Sequence, residues 1–382
     1  MRVGFIMNNH YPRLGGMEYA VHNLVLSLNN LNDVTASVAC ATLPEVPKDF
    51  EYPYSCYRSK SFWRFTPWLL KQNRLKMINE EKVNVLHGPM LHGGGFTAVK
   101  LGKTKGLPVI AHSRGADVQV VREIDYGAQL YPDLMKKLKY TIKNSDKLIA
   151  VSQLNKENMV DLGADPNKIE VIHNGILIDK INEINFINQR PSHNLSEEDF
   201  VLISVGRNSS VKRMDLLFQA LQKLKTVKKI KCVCVGPETN LAELASKYDV
   251  TDKIVLPGRI PKSNADKLNP PYADLINWYR SSDLYITTSY VEAFSGAATD
   301  ALACGLPIII GQKHGVSDVI EKNKTGWIMT KETPGELADL IMHLYEEREY
   351  LKTIKTDIKK SVSQLTWANI AVQTRAVYKS VV

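Results

Sequence analysis

Short apolar runs alternate with stretches of helical periodicity along this chain, and the alternation begins again half-way. Val3 to Met7, Val34 to Ala41, Val83 to His87, Pro108 to His112, Lys147 to Val151 and Ile169 to Ile172 read as strands of a parallel sheet with crossover helices between them. The clearest of those helices puts Val21, Leu24, Val25 and Leu28 on one face, directly after Gly15-Gly16. A polar, proline-bearing stretch at 179–198 reads as an interdomain connection. Val201 to Val205, Lys231 to Val235, Ile254 to Leu256, Leu284 to Thr288 and Pro307 to Ile310 follow as strands of a second sheet. Each half is thus expected to be a doubly wound α/β domain, the first at 1–180 and the second at 181–365. Ligands in such folds sit at the carboxyl ends of the strands, so the cleft between the halves is the expected site.

The length of 382 residues suits two domains better than one small core, and 44% hydrophobic with 23% charged residues is the composition of a soluble globular protein. Lys and Arg number 49 against 40 Asp and Glu, a net +9 that favours anionic partners. No nucleic-acid motif or long Arg-rich run is present, so a phosphorylated small molecule and an acidic membrane face fit that charge better. Cys40, Cys56, Cys232, Cys234 and Cys304 show no C-x-x-C spacing, which points to a reduced, cytoplasmic compartment without structural zinc. The apolar run at Met1–Met7 is too short for a secretory signal, and no stretch reaches the ~18 apolar residues of a spanning helix.

The stretch Thr287–Pro307 carries the most chemistry. Phe294-Ser295-Gly296 opens a helix and Gly305-Leu306-Pro307 closes it. Glu292 stands before the helix and Asp300 about one and a half turns inside it. A helix N-terminus presents unpaired N–H groups to an anion, so a diphosphate fits against the backbone of Phe294, Ser295, Gly296 and Ala297. Glu292 can then accept from sugar hydroxyls and Asp300 from a ribose diol. The same residues also read as a plain helix with a dipole-stabilising acid and one solvated Asp.

Glu292-x7-Asp300 followed by Ala-Leu-Ala-Cys-Gly-Leu-Pro307 resembles the donor-site signature of glycosyltransferase family 4, retaining enzymes of the GT-B fold, and the match spreads along most of the chain. The resemblance implies two Rossmann-like domains facing across a cleft, with the terminal helix 366–382 crossing back onto the first. In that family the first acid holds the transferred sugar and the second, usually Glu, the ribose; Asp300 is one methylene shorter, and a bridging water can make up the reach. The loop Ser204–Leu217 is similar to the family's diphosphate-gripping Gly-Arg…Lys loop, which assigns that role to Arg207 and Lys212. Arg213 stands where a small residue is common. Gly15-Gly16-Met17-Glu18 matches Gly-Gly-x-Glu, whose bare backbone approaches the phosphates. Ala111-His112-Ser-Arg114-Gly-Ala-Asp117 resembles the segment near the reacting sugar, which puts His112 in hydrogen-bond reach of it. Asn174-Gly175 resembles the bend that ends the first domain. Arg259 and Ile260, in Pro257–Pro261, correspond to residues facing the base.

No Asp-x-Asp occurs, so the metal-bridging motif of the other main glycosyltransferase fold is missing and cationic side chains are expected to meet the leaving diphosphate's charge. No cofactor or metal is expected, the nucleotide sugar being a substrate. The expected activity is retaining transfer of a hexose or N-acetylhexosamine, most readily from a UDP-sugar, to a glycan or lipid-linked acceptor of lipopolysaccharide or polysaccharide. A nucleotide-sugar 2-epimerase and a non-catalytic member of the fold are the rival readings. Phe62–Lys76 interleaves aromatic, aliphatic and basic residues and could lie on an anionic membrane, or be an ordinary half-buried helix. Gly93-Gly94-Gly95-Phe-Thr-Ala98 fits a loose dinucleotide pattern, but the next strand ends in His112 and not in a ribose-binding acid.

Overall fold

The computed structural model describes residues 1–382 except Leu14, 43–49, 60–65, 238–239 and 263–269. The stretch 262–277, rich in Pro, Asn and Asp, reads in the sequence as an insertion; its residues 263–269, and the start of the Phe62–Lys76 segment, lie outside the described residues. The chain divides into two compact units, Met1–Gly175 with Leu365–Val382, and Ile176–Gln364.

In the first unit β1 (Arg2–Ile6), β2 (Thr35–Ala41), β3 (Cys56–Ser59), β4 (Val85–Pro89), β5 (Val109–His112), β6 (Lys147–Ala150) and β7 (Ile169–Val171) form one parallel sheet. Its order is β3-β2-β1-β4-β5-β6-β7. The second unit holds β8 (Phe200–Val205), β9 (Ile230–Val235), β10 (Ile254–Gly258), β11 (Leu284–Ile286), β12 (Ile308–Ile310) and β13 (Gly326–Ile328), parallel throughout, in the order β10-β9-β8-β11-β12-β13. Central strands such as β11 and β12 are buried along their whole length, which is why they read as apolar runs. In each sheet the winding reverses direction beside the first strand, between β1 and β4 and between β8 and β11. Crossovers there leave to opposite sides, so the loops following these strands frame a crevice.

Two readings change on contact with the structure. The 179–198 stretch is no free connection: it forms the helix Ile178–Glu183 and then anchors to the second unit through Arg190, which is 7% exposed. That guanidinium donates to the carbonyls of Ser281 (2.8 Å), Ser196 (3.0 Å) and Asp199 (3.0 Å) and pairs with Asp283 at 2.8 Å. Gly175 has no left-handed backbone; a Cβ there would come within 2.5 Å of Trp367, so the glycine serves close packing of the terminal helix Trp367–Lys379 onto its unit. The triple glycine is likewise a packing device. Gly94 would drive a Cβ to 2.2 Å from the Ile6 carbonyl, and the π-helical turn Met90–Gly95 lies tight over the sheet.

The helix Pro334–Glu346 starts at Thr333, whose hydroxyl accepts from the Glu336 N–H at 3.2 Å. The Glu336 carboxylate reaches back further than a capping box requires, to the N–H groups of Thr330, Lys331 and Glu332. It thereby pins the turn that presents Glu332.

Candidate active site

The second unit's crevice is bounded by the loop leaving β8 and the segment leaving β11. Gly206 ends β8 at φ +155°, and Lys212 closes a 3₁₀ turn, Ser210–Lys212, with its stem passing over Gly206. The two segments are stitched together: Thr288 Oγ1 donates to the carbonyls of Lys212 and Arg213, both at 2.9 Å, and the Tyr290 N–H donates to Val211 O at 2.9 Å. This brings Lys212 and Glu292, 80 residues apart, into a hydrogen-bonded ion pair. Ser289 Oγ donates to the same Glu292 oxygen at 3.0 Å. The backbone of Glu292 is held on both sides, its N–H to Lys313 O and its C=O by the Gly315 N–H.

Burial tends to raise the Glu292 pKa, but the Lys212 ammonium, His314 and the hydrogen bonds from Lys212 and Ser289 outweigh it and hold the carboxyl below its ordinary value. His314 is fully buried and donates from Nε2 to Ser289 O at 2.8 Å, leaving a bare Nδ1 lone pair without a partner among the described residues. Sequence reasoning missed His314. Its only trace is its place in the loop leaving β12.

Arg213 takes a left-handed backbone (φ 48°) where a smaller residue would be easier, and the tertiary contacts explain it. The guanidinium pairs with Glu332 at 2.7 Å and stacks over Tyr290 at 4.3 Å. Arg213 therefore braces the loop and is not turned toward a ligand. Arg207, on the same loop, is exposed and has no ion pair among the described residues. Arg259 is exposed and Ile260 half-buried just past β10, the outer strand of the sheet.

The helix Gly296–Ala303 starts at Ser295, whose hydroxyl accepts from the Ala298 N–H at 3.4 Å. Phe294 and Ser295 are buried, Ala297 is half-buried, and Gly296 is exposed with nothing within 4 Å of a Cβ. Asp300 is half-buried in the same helix, and its carboxyl has no hydrogen-bond partner among the described residues. Burial pushes its pKa up to about 7.

The first unit's crevice holds Gly15, Gly16 and His112. Gly15 is covered, a Cβ there meeting the Glu18 carboxylate at 2.1 Å, while Gly16 is open at the first turn of the helix Gly16–Asn29. His112 ends β5, 3% exposed. The loop behind it is organised by Asp117, which is buried and accepts from Ser113 Oγ (2.8 Å), Gly115 N (2.9 Å), Arg114 N (3.2 Å) and Leu91 N (2.9 Å). Four donors saturate that carboxylate, so Asp117 shapes the loop. Arg114 donates to Asn174 Oδ1 at 2.7 Å, tying the loop to the end of the unit. Among the described residues no three His, Cys, Asp or Glu side chains gather as a metal site would need, and no helix is long and apolar enough to cross a membrane.

Two family models match the chain: the one described as glycosyl transferases group 1 over residues 185–361, and that of glycosyltransferase family 4 over residues 14–180. The chain belongs to glycosyltransferase family 4. D-inositol 3-phosphate glycosyltransferase 2 of Catenulispora acidiphila is 25% identical to it over 248 residues, 61% of this chain and 56% of that protein. The chain spans about half the length of the first curated relatives it matches. Sucrose-phosphate synthase from Thermosynechococcus elongatus superposes with a TM-score of 0.82 at 18% identity, over 99% of this chain and 98% of that one. HepE of Anabaena, solved in complex with UDP, gives 0.78 at 16% identity over the full length of both. These likenesses show a GT-B fold.

Proposed function

We propose that the protein moves a hexose or N-acetylhexosamine from a UDP-sugar to a glycan or lipid-linked acceptor with retention at the anomeric carbon and without a metal ion. The observation that carries this is the Lys212–Glu292 pair, held where the winding of the second sheet reverses. A cation for the diphosphate and a carboxylate for the sugar hydroxyls stand side by side there. Arg207 adds a second cation, the open N-terminus at Gly296 receives phosphate oxygens, Asp300 meets the ribose through a water, and Arg259 and Ile260 flank the base. Gly16 and His112 carry the phosphate and sugar roles that the family resemblance assigns them. UDP in HepE supports the choice of base. The bond from the anomeric carbon to the phosphate oxygen breaks as the acceptor oxygen attacks from the same face, and the acceptor's proton passes to the leaving phosphate oxygen. Cations that meet that oxygen's growing charge lower the barrier.

An envelope-type glycan acceptor follows from the family resemblance and the net charge, and the partly exposed helix Thr66–Glu80, with Trp68 59% exposed, offers an anionic membrane surface a contact. The test is a screen of UDP-sugars against glycan acceptors in chelator, with the anomeric configuration of the product read by NMR. A retained linkage that disappears in Glu292→Gln supports the proposal. An inverted product overturns the mechanism, acceptor-independent release of an altered nucleotide sugar identifies an epimerase, and no turnover of any donor identifies a non-catalytic member.

A further inference from the structure

His112 is the last link of a buried chain of rings. β4 and β5 pair with His87 opposite Ile110, so His87 and His112 lie diagonally on the same face of the sheet. There His87 stacks on Phe5 at 4.4 Å between centroids, and its Nε2 is 3.2 Å from His112 Nδ1. The terminal helix Trp367–Lys379 supplies the other end: the Tyr378 hydroxyl is 2.6 Å from His87 Nδ1. His87 and Tyr378 are completely buried, and His112 Nε2 is buried without a partner among the described residues. Burial, and then the nearby Arg114 charge, holds both imidazoles well below their ordinary pKa, so each carries one ring proton.

Two proton arrangements can satisfy the two bonds. In one, His112 Nδ1–H donates to His87 Nε2 and His87 Nδ1–H donates to the tyrosine oxygen. The Tyr378 O–H then needs a second acceptor, and none exists among the described residues; a buried hydroxyl proton left unpaired costs about 1–3 kcal/mol. In the other, Tyr378 O–H donates to His87 Nδ1 and His87 Nε2–H donates to His112 Nδ1, so the one proton left over is on His112 Nε2, where on the transferase reading a substrate oxygen can accept it.

We propose that Tyr378 and His87 are positioning residues that lock His112 in the tautomer with its proton on Nε2, so that His112 meets a substrate oxygen as a hydrogen-bond donor and cannot take up the acceptor's proton. The role at substrate rests on the transferase reading above. So does the choice of tautomer, because each arrangement leaves one buried proton unpaired until a substrate oxygen meets His112 Nε2.

Long-range ¹H–¹⁵N correlation spectra of histidine-labelled protein read the tautomers directly. The wild type is expected to show His87 and His112 each protonated on Nε2, and a proton on His112 Nδ1 overturns the proposal. Tyr378→Phe, which removes only the hydroxyl, is expected to populate both tautomers at both rings; a spectrum unchanged from wild type overturns it. Where transfer is measurable, the same variant lowers kcat about two- to fivefold, the worth of one neutral hydrogen bond, with UDP affinity unchanged. Absence of transferase activity would sink the functional reading and leave the spectra to decide the tautomer.

Discussion

Lys212→Met removes one charge while keeping most of the stem, and its effect on stability is tied to pH through Glu292. In the wild type the Glu292 pKa lies below 4.5 because Lys212, His314 and two hydrogen bonds overcome burial. A carboxyl whose folded pKa is depressed contributes stability that is present above the unfolded pKa and lost as pH falls through the folded one. Without Lys212 burial dominates, the folded pKa rises above the unfolded one, and the carboxyl becomes a liability that grows as pH climbs past about 4.5. Two unit charges in contact near a protein surface attract by roughly 4 kcal/mol before desolvation is subtracted. These side chains are 27% and 17% exposed, so the net loss should lie between those of surface and buried pairs, about 2 kcal/mol near neutral pH. It should shrink toward zero near pH 4. Urea denaturation of both proteins across that range reads the difference, and a loss that does not vary with pH would refute the ion pair as the cause. The same variant tests the donor site. A charge-assisted bond to phosphate is worth about 1.5–3 kcal/mol, so calorimetric titration with UDP should show roughly 10- to 100-fold weaker binding. Affinity within twofold of wild type would remove Lys212 from the phosphate site.

Asp300→Asn should stabilise the protein in a pH-dependent way. The Asp300 pKa is raised by burial from 3.8 to about 7, so the native state keeps a proton that the unfolded chain has lost and stability falls as pH rises between those values. The substitution should gain up to roughly 4 kcal/mol near pH 8 and nothing near pH 4, by chemical denaturation; a gain equal at both would show the carboxyl to be well solvated. Gly175→Ala should lower stability by about 1–3 kcal/mol through overpacking against Trp367, visible as a drop in Tm. An unchanged Tm would mean the terminal helix shifts without penalty.

Both sheets were legible in the sequence wherever a strand is buried on two faces, because a continuous run such as Phe200–Val205 has few other places to go. β3 and β13 were not legible. Cys56–Ser59 is a half-buried outer strand without an apolar run, and Gly326–Ile328 is three residues long, so pairing with a neighbour defines both more than their own residues do. The polar stretch 179–198 looked like a connection because polarity alone does not distinguish a solvated loop from one whose Arg190 is buried among carbonyls. At the site, motif spacing singles out Lys212 and Glu292 but says nothing of their contact. His314, Glu332 and Tyr378 carry no local signal at all, since each acts through a partner far away in sequence.

On the proposed reading, that contact explains why a cation and a carboxylate for different parts of one donor stand together. A diphosphate brings negative charge next to Glu292, which by itself would drive the carboxyl toward its neutral form and weaken its grip on sugar hydroxyls. Lys212 counters this from the start: it keeps Glu292 ionised in the empty protein, and on the proposed reading it remains between carboxylate and phosphate when the donor is bound. Ser289, held within reach by the His314 bond to its carbonyl, fixes which Glu292 oxygen Lys212 sees and leaves the other to a ligand. The ammonium therefore has two tasks, and a neutral substitute should fail at both. This is why the stability loss and the affinity loss of Lys212→Met are expected to appear in the same protein.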